Sequence, residues 1–252
     1  MKIVISPAKS LNLEKHIPIA THTSCEFLKE SIAIHKVLKK QTPQDLKKLM
    51  SISDNLAQLN WQRNQDWHTP FDEQNARPAI YTFDGDVYTG LQIETLEVSK
   101  LPLLQDKLRI LSGLYGILKP LDLIQPYRLE MGTPLAIGNS KNLYEFWKTK
   151  TTKSLNKELQ KNELFINLAS VEYFSAIDTK LLKVPVITPE FKDYKDGKLK
   201  VISFFAKKAR GMMVRYIMDN QIESLNDLKQ FDIEGYQFDT TLSKENTLVF
   251  VR

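Results

Sequence analysis

Apolar positions along this chain follow two rhythms, and the order in which they occur predicts its architecture. Lys2 to Ser6 is a short apolar run that reads as a buried strand stopped by Pro7. Phe27, Leu28, Ile34 and Leu38 recur at helical spacing and predict a helix over Ser24–Lys40. Thr42-Pro43-Gln44-Asp45 opens a second helix, with Thr42 as cap and Pro43 in the first turn. A third helix is expected from about Ser53 to Asp66. Ala79–Phe83 reads as a strand, and helical spacing returns over Asn142–Leu159. Further strands are expected at Leu164–Leu168, Val184–Thr188, Leu199–Phe204 and Thr247–Val251. Helices concentrate early and strands late, without regular βαβ alternation. That order favours an α+β fold, a mixed α/β arrangement, over a doubly wound sheet. No repeat, linker or composition break divides residues 1–252, so one domain is expected.

Charge sharpens this picture in one place. Lys198–Met218 holds six basic residues and no acidic one. At 100° per residue, Phe205, Ala209, Met212, Met213 and Tyr216 fall on one side of a helix, and Lys207, Lys208, Arg210 and Arg215 on the other. A cationic front of this kind attracts phosphates if it faces a groove, and is otherwise a solvated face. From Asp219 onward the balance reverses, with seven Asp/Glu against three Lys/Arg. The net charge of +5 is compatible with a polyanionic partner without requiring one. A single cysteine, Cys25, excludes an internal disulfide and suits a reducing compartment. The amino terminus lacks the apolar run of a signal peptide, and no segment approaches the roughly 18 apolar residues of a membrane span. A cytoplasmic protein with no membrane partner is expected.

Four further segments carry candidate chemistry. Residues 45–57, DLKKLMSISDNLA, place two short helices around Ser51-Ile52-Ser53, with Leu56 and Ala57 expected to face back. The segment is similar to a helix-hairpin-helix module over about 42–66. Leu49, Ile52 and Ala57 hold its apolar positions, Met50 replaces the usual proline, and Ser51 and Ser53 replace two glycines. Ser53 as a cap leaves free N–H groups at a helix start, which favour an anion. Lys47 and Lys48 would flank that anion, with Arg63 further along. An ordinary capped hairpin explains the same residues. Asp84-Gly85-Asp86 is a turn whose carboxylates could help hold Mg²⁺, or a plain Asp-Gly turn. Arg109–Gly132 carries Gly113, Gly116 and Gly132 without the spacing of a nucleotide loop, so close packing or a bend explains them better. Within it Arg128 and Glu130 are free to pair. Asn167, Ser170, Glu172 and Tyr173 lie where a strand hands over to a helix, with Ser170 equally readable as an N-cap. His16, His22, His35 and His68 offer no complete metal set. Neither a metal nor a cofactor is expected, and Cys25 has no evident histidine partner.

ISPAKSL, GDVYTGL, LSGLYGILKPLDLIQPYRLEMG, NLASVEYF, SFFAKKARG and FDIEGYQF occur in this order from the first residue to nearly the last. Together they resemble the YaaA family of bacterial peroxide-stress proteins. The resemblance implies a cytoplasmic protein that helps cells survive hydrogen peroxide, in part by keeping free iron low. It further implies a single domain of unusual topology, a helix-hairpin-helix element, a positively charged cleft and affinity for duplex DNA. Binding would be largely sequence-independent, through Lys47, Lys48, Ser51, Ser53, Arg63, Lys207, Lys208, Arg210 and Arg215. Lys9, Arg109, Lys119, Arg128 and Asn167 are further candidates for the cleft. No protein partner is implied. The alternative is an enzyme acting on a phosphorylated or carboxylated small molecule, with Glu130, Glu172, Ser170 and Tyr173 as candidates for acid, base or nucleophile. Direct iron sequestration is a third possibility, which the ligand inventory does not suggest.

Overall fold

Lys2–Ile5 (β1) is buried along its whole length, and this short run is the centre of the molecule. In a computed structural model describing residues 1–252, β1 pairs in parallel with Leu108–Ser112 (β2) on one side. Gly116–Leu118 (β3) closes that edge as an antiparallel hairpin. On the other side β1 pairs in parallel with Phe165–Leu168 (β4), which pairs with Val186–Lys195 (β5). Lys198–Lys200 (β6) is an antiparallel stub on β5. The far edge is built from Gln237–Lys244 (β7) and Thr247–Val251 (β8), with β8 parallel to β5 and β7 antiparallel to β8. The order across the sheet is therefore β7-β8-β5-β4-β1-β2-β3.

The fold is mixed α/β, but its five central strands are all parallel, which the expected α+β arrangement did not include. The reason lies in the connections. The chain makes an excursion of about a hundred residues between β1 and β2, so no compact βαβ unit marks the pairing. The strands themselves carry the mark of a parallel sheet, since β1, β2 and β4 are buried on both faces and mostly apolar, interrupted only by Arg109 and Asn167 within them and by Lys2 and Ser112 at their ends.

The excursion holds the early helices Leu28–Leu38 (α1), Pro43–Met50 (α2) and Asp54–Asp66 (α3). The expected caps are present. The Thr42 hydroxyl accepts from the Asp45 N–H, and Asp45 returns the bond to the Thr42 N–H. The Ser53 hydroxyl accepts from the Leu56 N–H. Ala79–Thr82 is a short helical turn, not the expected strand: the Thr82 hydroxyl donates to the Pro78 carbonyl and closes it. Four wholly buried residues leave no periodicity to separate the two conformations.

Asp86–Leu91 (α4), Leu101–Lys107 (α5) and Leu143–Glu158 (α6) follow. The expected strand over Leu199–Phe204 stops at Lys200, and Ser203–Asp219 (α7) begins within it. α7 packs on β5 and, more closely, on α4. One continuous apolar core runs from Ile3 to Phe250, so the molecule is a single compact domain.

Candidate functional site at the carboxyl ends of the parallel strands

The chain leaves β1 for β2 on one side, while β4, β5 and β8 build outward on the other. The direction of winding thus changes between β1 and β4. In open parallel sheets the gap beyond the strand ends at such a point is the usual ligand crevice. Here it is bridged by the residues that follow the two strands. The Ser6 hydroxyl accepts from the Ser170 N–H at 2.9 Å, and the two hydroxyls lie 3.2 Å apart. Tyr88 from α4 donates to the Ser6 carbonyl.

Around this bridge stand several of the expected residues. Glu130 receives Lys9 at 2.6 Å and Arg128 at 3.2 Å. The Arg128 Nε is buried without a partner. Glu172 accepts from the Gly132 N–H at 3.0 Å. Ser170 caps the short turn Val171–Phe174 by accepting from the Tyr173 N–H. Burial pushes the Tyr173 phenol up, and the Tyr127 phenol and the Glu172 and Glu130 carboxylates add to the effect. Glu130, Glu172, Ser170 and Tyr173 are thus brought together, yet each is engaged in ion pairing, capping or burial, and no histidine accompanies them. Ser6 and Tyr88 went unnoticed in the sequence. Ser6 has the same signal as Asn167, a polar residue where an apolar run ends.

Next to the bridge, beyond the end of β4, opens a crevice of about 420 Å³. Asn167, Thr188 and Glu190 line its floor, and Arg210 from α7 and Lys148 from α6 reach its walls. Lys148 carried no sequence signal, being one lysine among many on a polar helix.

The other candidates are dispersed. Arg109 and Lys119 do not join Lys9 and Arg128. They line a separate hollow of about 690 Å³ toward the amino ends of the strands, where Glu158 receives Arg109 at 2.7 Å and Lys119 at 3.7 Å. Arg109 is buried there, so the expectation of one cleft for all four cations is not met by this geometry. Asp84 and Asp86 diverge, Asp84 pairing along the backbone with Ser10 and Asp86 meeting Lys207 at 3.7 Å. The molecule contains no group of three or more His, Cys, Asp or Glu side chains placed to hold a metal ion.

The basic helix departs from its expected form in two ways. Its buried stripe is Ala206, Ala209, Met213, Ile217 and their neighbours, whereas Phe205 is 38 % exposed and Tyr216 half-buried. Three of its cations are also matched by acids, two from elsewhere in the chain and one at the end of the helix itself. Lys207 meets Asp86, Lys208 meets Glu234 of the acidic tail, and Arg215 bonds Asp219 at 2.6 Å. Only Arg210 makes no ion pair and no side-chain hydrogen bond. In the α2–α3 hairpin Ile52 and Ala57 are buried as expected, but Leu49 is half-buried and Leu56 is 37 % exposed. Ser51 takes a left-handed conformation, φ 51°. Lys47 is paired with Asp54 at 2.8 Å, and Lys48 is exposed without an ion pair. Arg63 bonds the Asn60 side chain. Burial first, and then the nearby Arg128 charge, lower its proton affinity.

A family model described as "peroxide stress protein YaaA" matches residues 1–242. The chain belongs to the YaaA family of peroxide stress proteins. A UPF0246 protein of Flavobacterium johnsoniae is 69 % identical over 252 residues, all of both chains. One from Flavobacterium psychrophilum is 68 % identical over the same length, again all of both chains. One from Aliivibrio fischeri is 50 % identical over 254 residues, covering all of this chain and 98 % of the relative. No helix of this YaaA-family chain is long and apolar enough to cross a membrane.

Proposed function

We propose that this YaaA-family protein binds duplex or distorted DNA through phosphate contacts, centred on the Thr42–Asp66 hairpin acting as a helix-hairpin-helix element, and so helps limit iron-driven oxidative damage. The observation that carries the reading is the proximity of Arg63, on the second hairpin helix, to Arg128 at the switch-point rim. Of the two, Glu130 offsets Arg128 alone, so an anion lying over both guanidiniums would relieve what remains of their mutual repulsion. Arg128 shares Glu130 with Lys9, so beside the hairpin two cations stand against one carboxylate. Ser53 and the free N–H groups of α3 supply donors for a backbone phosphate, with Lys48 beside them. The neutralised front of α7 moves Lys207, Lys208 and Arg215 out of this role and leaves the hairpin as its centre.

Fluorescence anisotropy with a labelled duplex across a salt series tests the proposal. With about four to six phosphate contacts at roughly 0.9 each, affinity falls about 10²- to 10³-fold between 50 and 200 mM salt. Arg63→Glu and Lys48→Glu weaken binding irrespective of sequence. Salt-independent binding, or a folded Arg63→Glu variant that binds as the parent does, overturns it.

A further inference from the structure

Arg210 is the one cation of α7 that forms no ion pair, and it is half-buried in the crevice beyond β4. Burial pulls its proton affinity down while Glu190 holds it up. A guanidinium stays charged in such a place, so its five donors go unmatched within the chain. Asn167 sets a second unspent donor beside it. That side chain is 8 % exposed, its Oδ1 accepts from the Ala169 N–H at 3.0 Å, and its amide nitrogen has no partner. Lys148 adds a second charge without an ion pair, and the Thr188 hydroxyl is likewise unused. The acid in the lining, Glu190, is held by Lys192 at 3.3 Å. Phe174, Ile177 and Pro189 form an apolar shelf at the same opening.

We propose that the crevice between Asn167 and Arg210 is a binding site for the dianionic phosphate of a phosphomonoester, with the organic group on the Phe174–Pro189 shelf. Two cations match a dianion. The guanidinium fork engages two phosphate oxygens, and the Asn167 amide and Thr188 hydroxyl donate to others. The shelf and the volume fit an esterified phosphate better than a free ion. This site is separate from the hairpin and stands whether or not duplex DNA is bound there. A free phosphomonoester and the 5′-phosphate of a broken DNA strand present the same chemistry.

Calorimetric titration with a deoxynucleoside 5′-monophosphate, its unphosphorylated nucleoside and a carboxylate of similar size tests the site. Saturable binding of the monophosphate alone is expected, weakened at least tenfold by Arg210→Gln and by Asn167→Leu. The exposed Lys148→Met variant, which puts no folding contact at risk, weakens it by a smaller factor. A nicked duplex bearing 5′-phosphate or 5′-hydroxyl distinguishes the source. A phosphate preference that Arg210→Gln abolishes assigns the strand end, and its absence alongside monophosphate binding assigns a small molecule. The hairpin variant Lys48→Glu leaves monophosphate binding unchanged. No saturable binding of any phosphate probe, equal binding of the carboxylate, or full affinity in both Arg210→Gln and Lys148→Met overturns the proposal.

Discussion

Gly90 and Gly211 bring the backbones of α4 and α7 into direct contact. A Cβ built on Gly211 would collide with the Val87 carbonyl oxygen, and one on Gly90 with the Lys208 carbonyl oxygen. Neither obstacle is a flexible side-chain end, so neither can move aside without shifting a helix. Overpacking in a core ordinarily costs about 1–3 kcal/mol. Gly211→Ala is therefore expected to destabilise the protein by about 3 kcal/mol or more, read as a lower denaturant midpoint at unchanged slope. Its loss would also displace Arg210 from the crevice, because the same contact sets how α7 lies on β5. A variant with the parent's midpoint would show that the two helices are not locked this way.

Arg215 and Lys207 separate a structural cation from a surface one on the same helix. The Arg215 guanidinium donates to Asp219, to the Gln92 carbonyl at 3.0 Å, and to the hydroxyl and carbonyl of Thr95 at 2.7 and 3.1 Å. It thereby latches α7 to the turn that ends α4. Hydrogen bonds to a charged group are each worth about 1.5–3 kcal/mol, less where water competes. Arg215→Ala is expected to cost about 2 kcal/mol, whereas Lys207→Ala, losing one exposed pair, changes stability by less than about 0.5 kcal/mol. Equal effects in thermal unfolding would contradict the assignment.

Cys25 bears on how a peroxide stress protein handles peroxide. Burial, and then the Asp122 carboxylate, push its thiol far above the ordinary range, and the Sγ–H donates to the Leu123 carbonyl at 3.1 Å. The thiolate is the form that peroxide oxidises, and a buried thiol held protonated is inert. The native protein is expected to resist iodoacetamide and to form no sulfenic acid with millimolar peroxide, whereas the denatured chain alkylates fully. Rapid oxidation of Cys25 in the native state, measured by intact mass, would overturn this.

How much of this was legible in the sequence depends on the range of the interactions. The caps at Thr42 and Ser53, the helices they begin, and the ends of β1, β4 and β8 were readable because they rest on neighbours within four residues. The pairing of β1 with β2 and β4 was hidden, because its partners lie over a hundred residues away. β7, whose residues are all exposed or half-buried without regular alternation, gave no apolar stripe to detect. The basic stripe of α7 was visible, but its partners were not. Asp86 precedes it by over a hundred residues, and Glu234 belongs to a tail whose acidity could be counted but not placed. The glycines of Arg109–Gly132 fit the expectation of close packing or a bend. A Cβ on Gly113 would meet the Leu129 carbonyl, and Gly116, at φ 71°, lies against the Trp147 ring. Asn167 was singled out, yet its companions Arg210 and Lys148 could be assembled around it only in three dimensions.

Asp122 gives the hollow at the amino ends of the strands a pH dependence of defined sign. Burial raises its carboxyl from 3.8 to about 6, although the Thr23 hydroxyl donates to Oδ1 at 2.6 Å and the Lys119 N–H to Oδ2 at 2.8 Å. Lys119 and Arg109 oppose the rise with their charges. The folded protein thus keeps this proton over a window in which the unfolded chain has lost it. Asp122 therefore makes stability fall as pH rises from about 4 to about 6 and adds no slope outside that window, while His35, whose imidazole burial holds below its ordinary value, acts in the opposite sense toward the upper end. Each tenfold change in proton affinity is worth about 1.4 kcal/mol, so the descent totals about 3 kcal/mol. Asp106, in the same hollow, acts outside this window: burial pushes its carboxyl up, but the bonded Lys2 ammonium takes it below its ordinary value. Its contribution is lost only at still lower pH. Urea unfolding at half-unit steps from pH 4 to 7 checks the prediction against Asp122→Asn, in which the descent disappears. A carbon-13 titration of the Asp122 carboxyl with a midpoint near 4 would remove its basis.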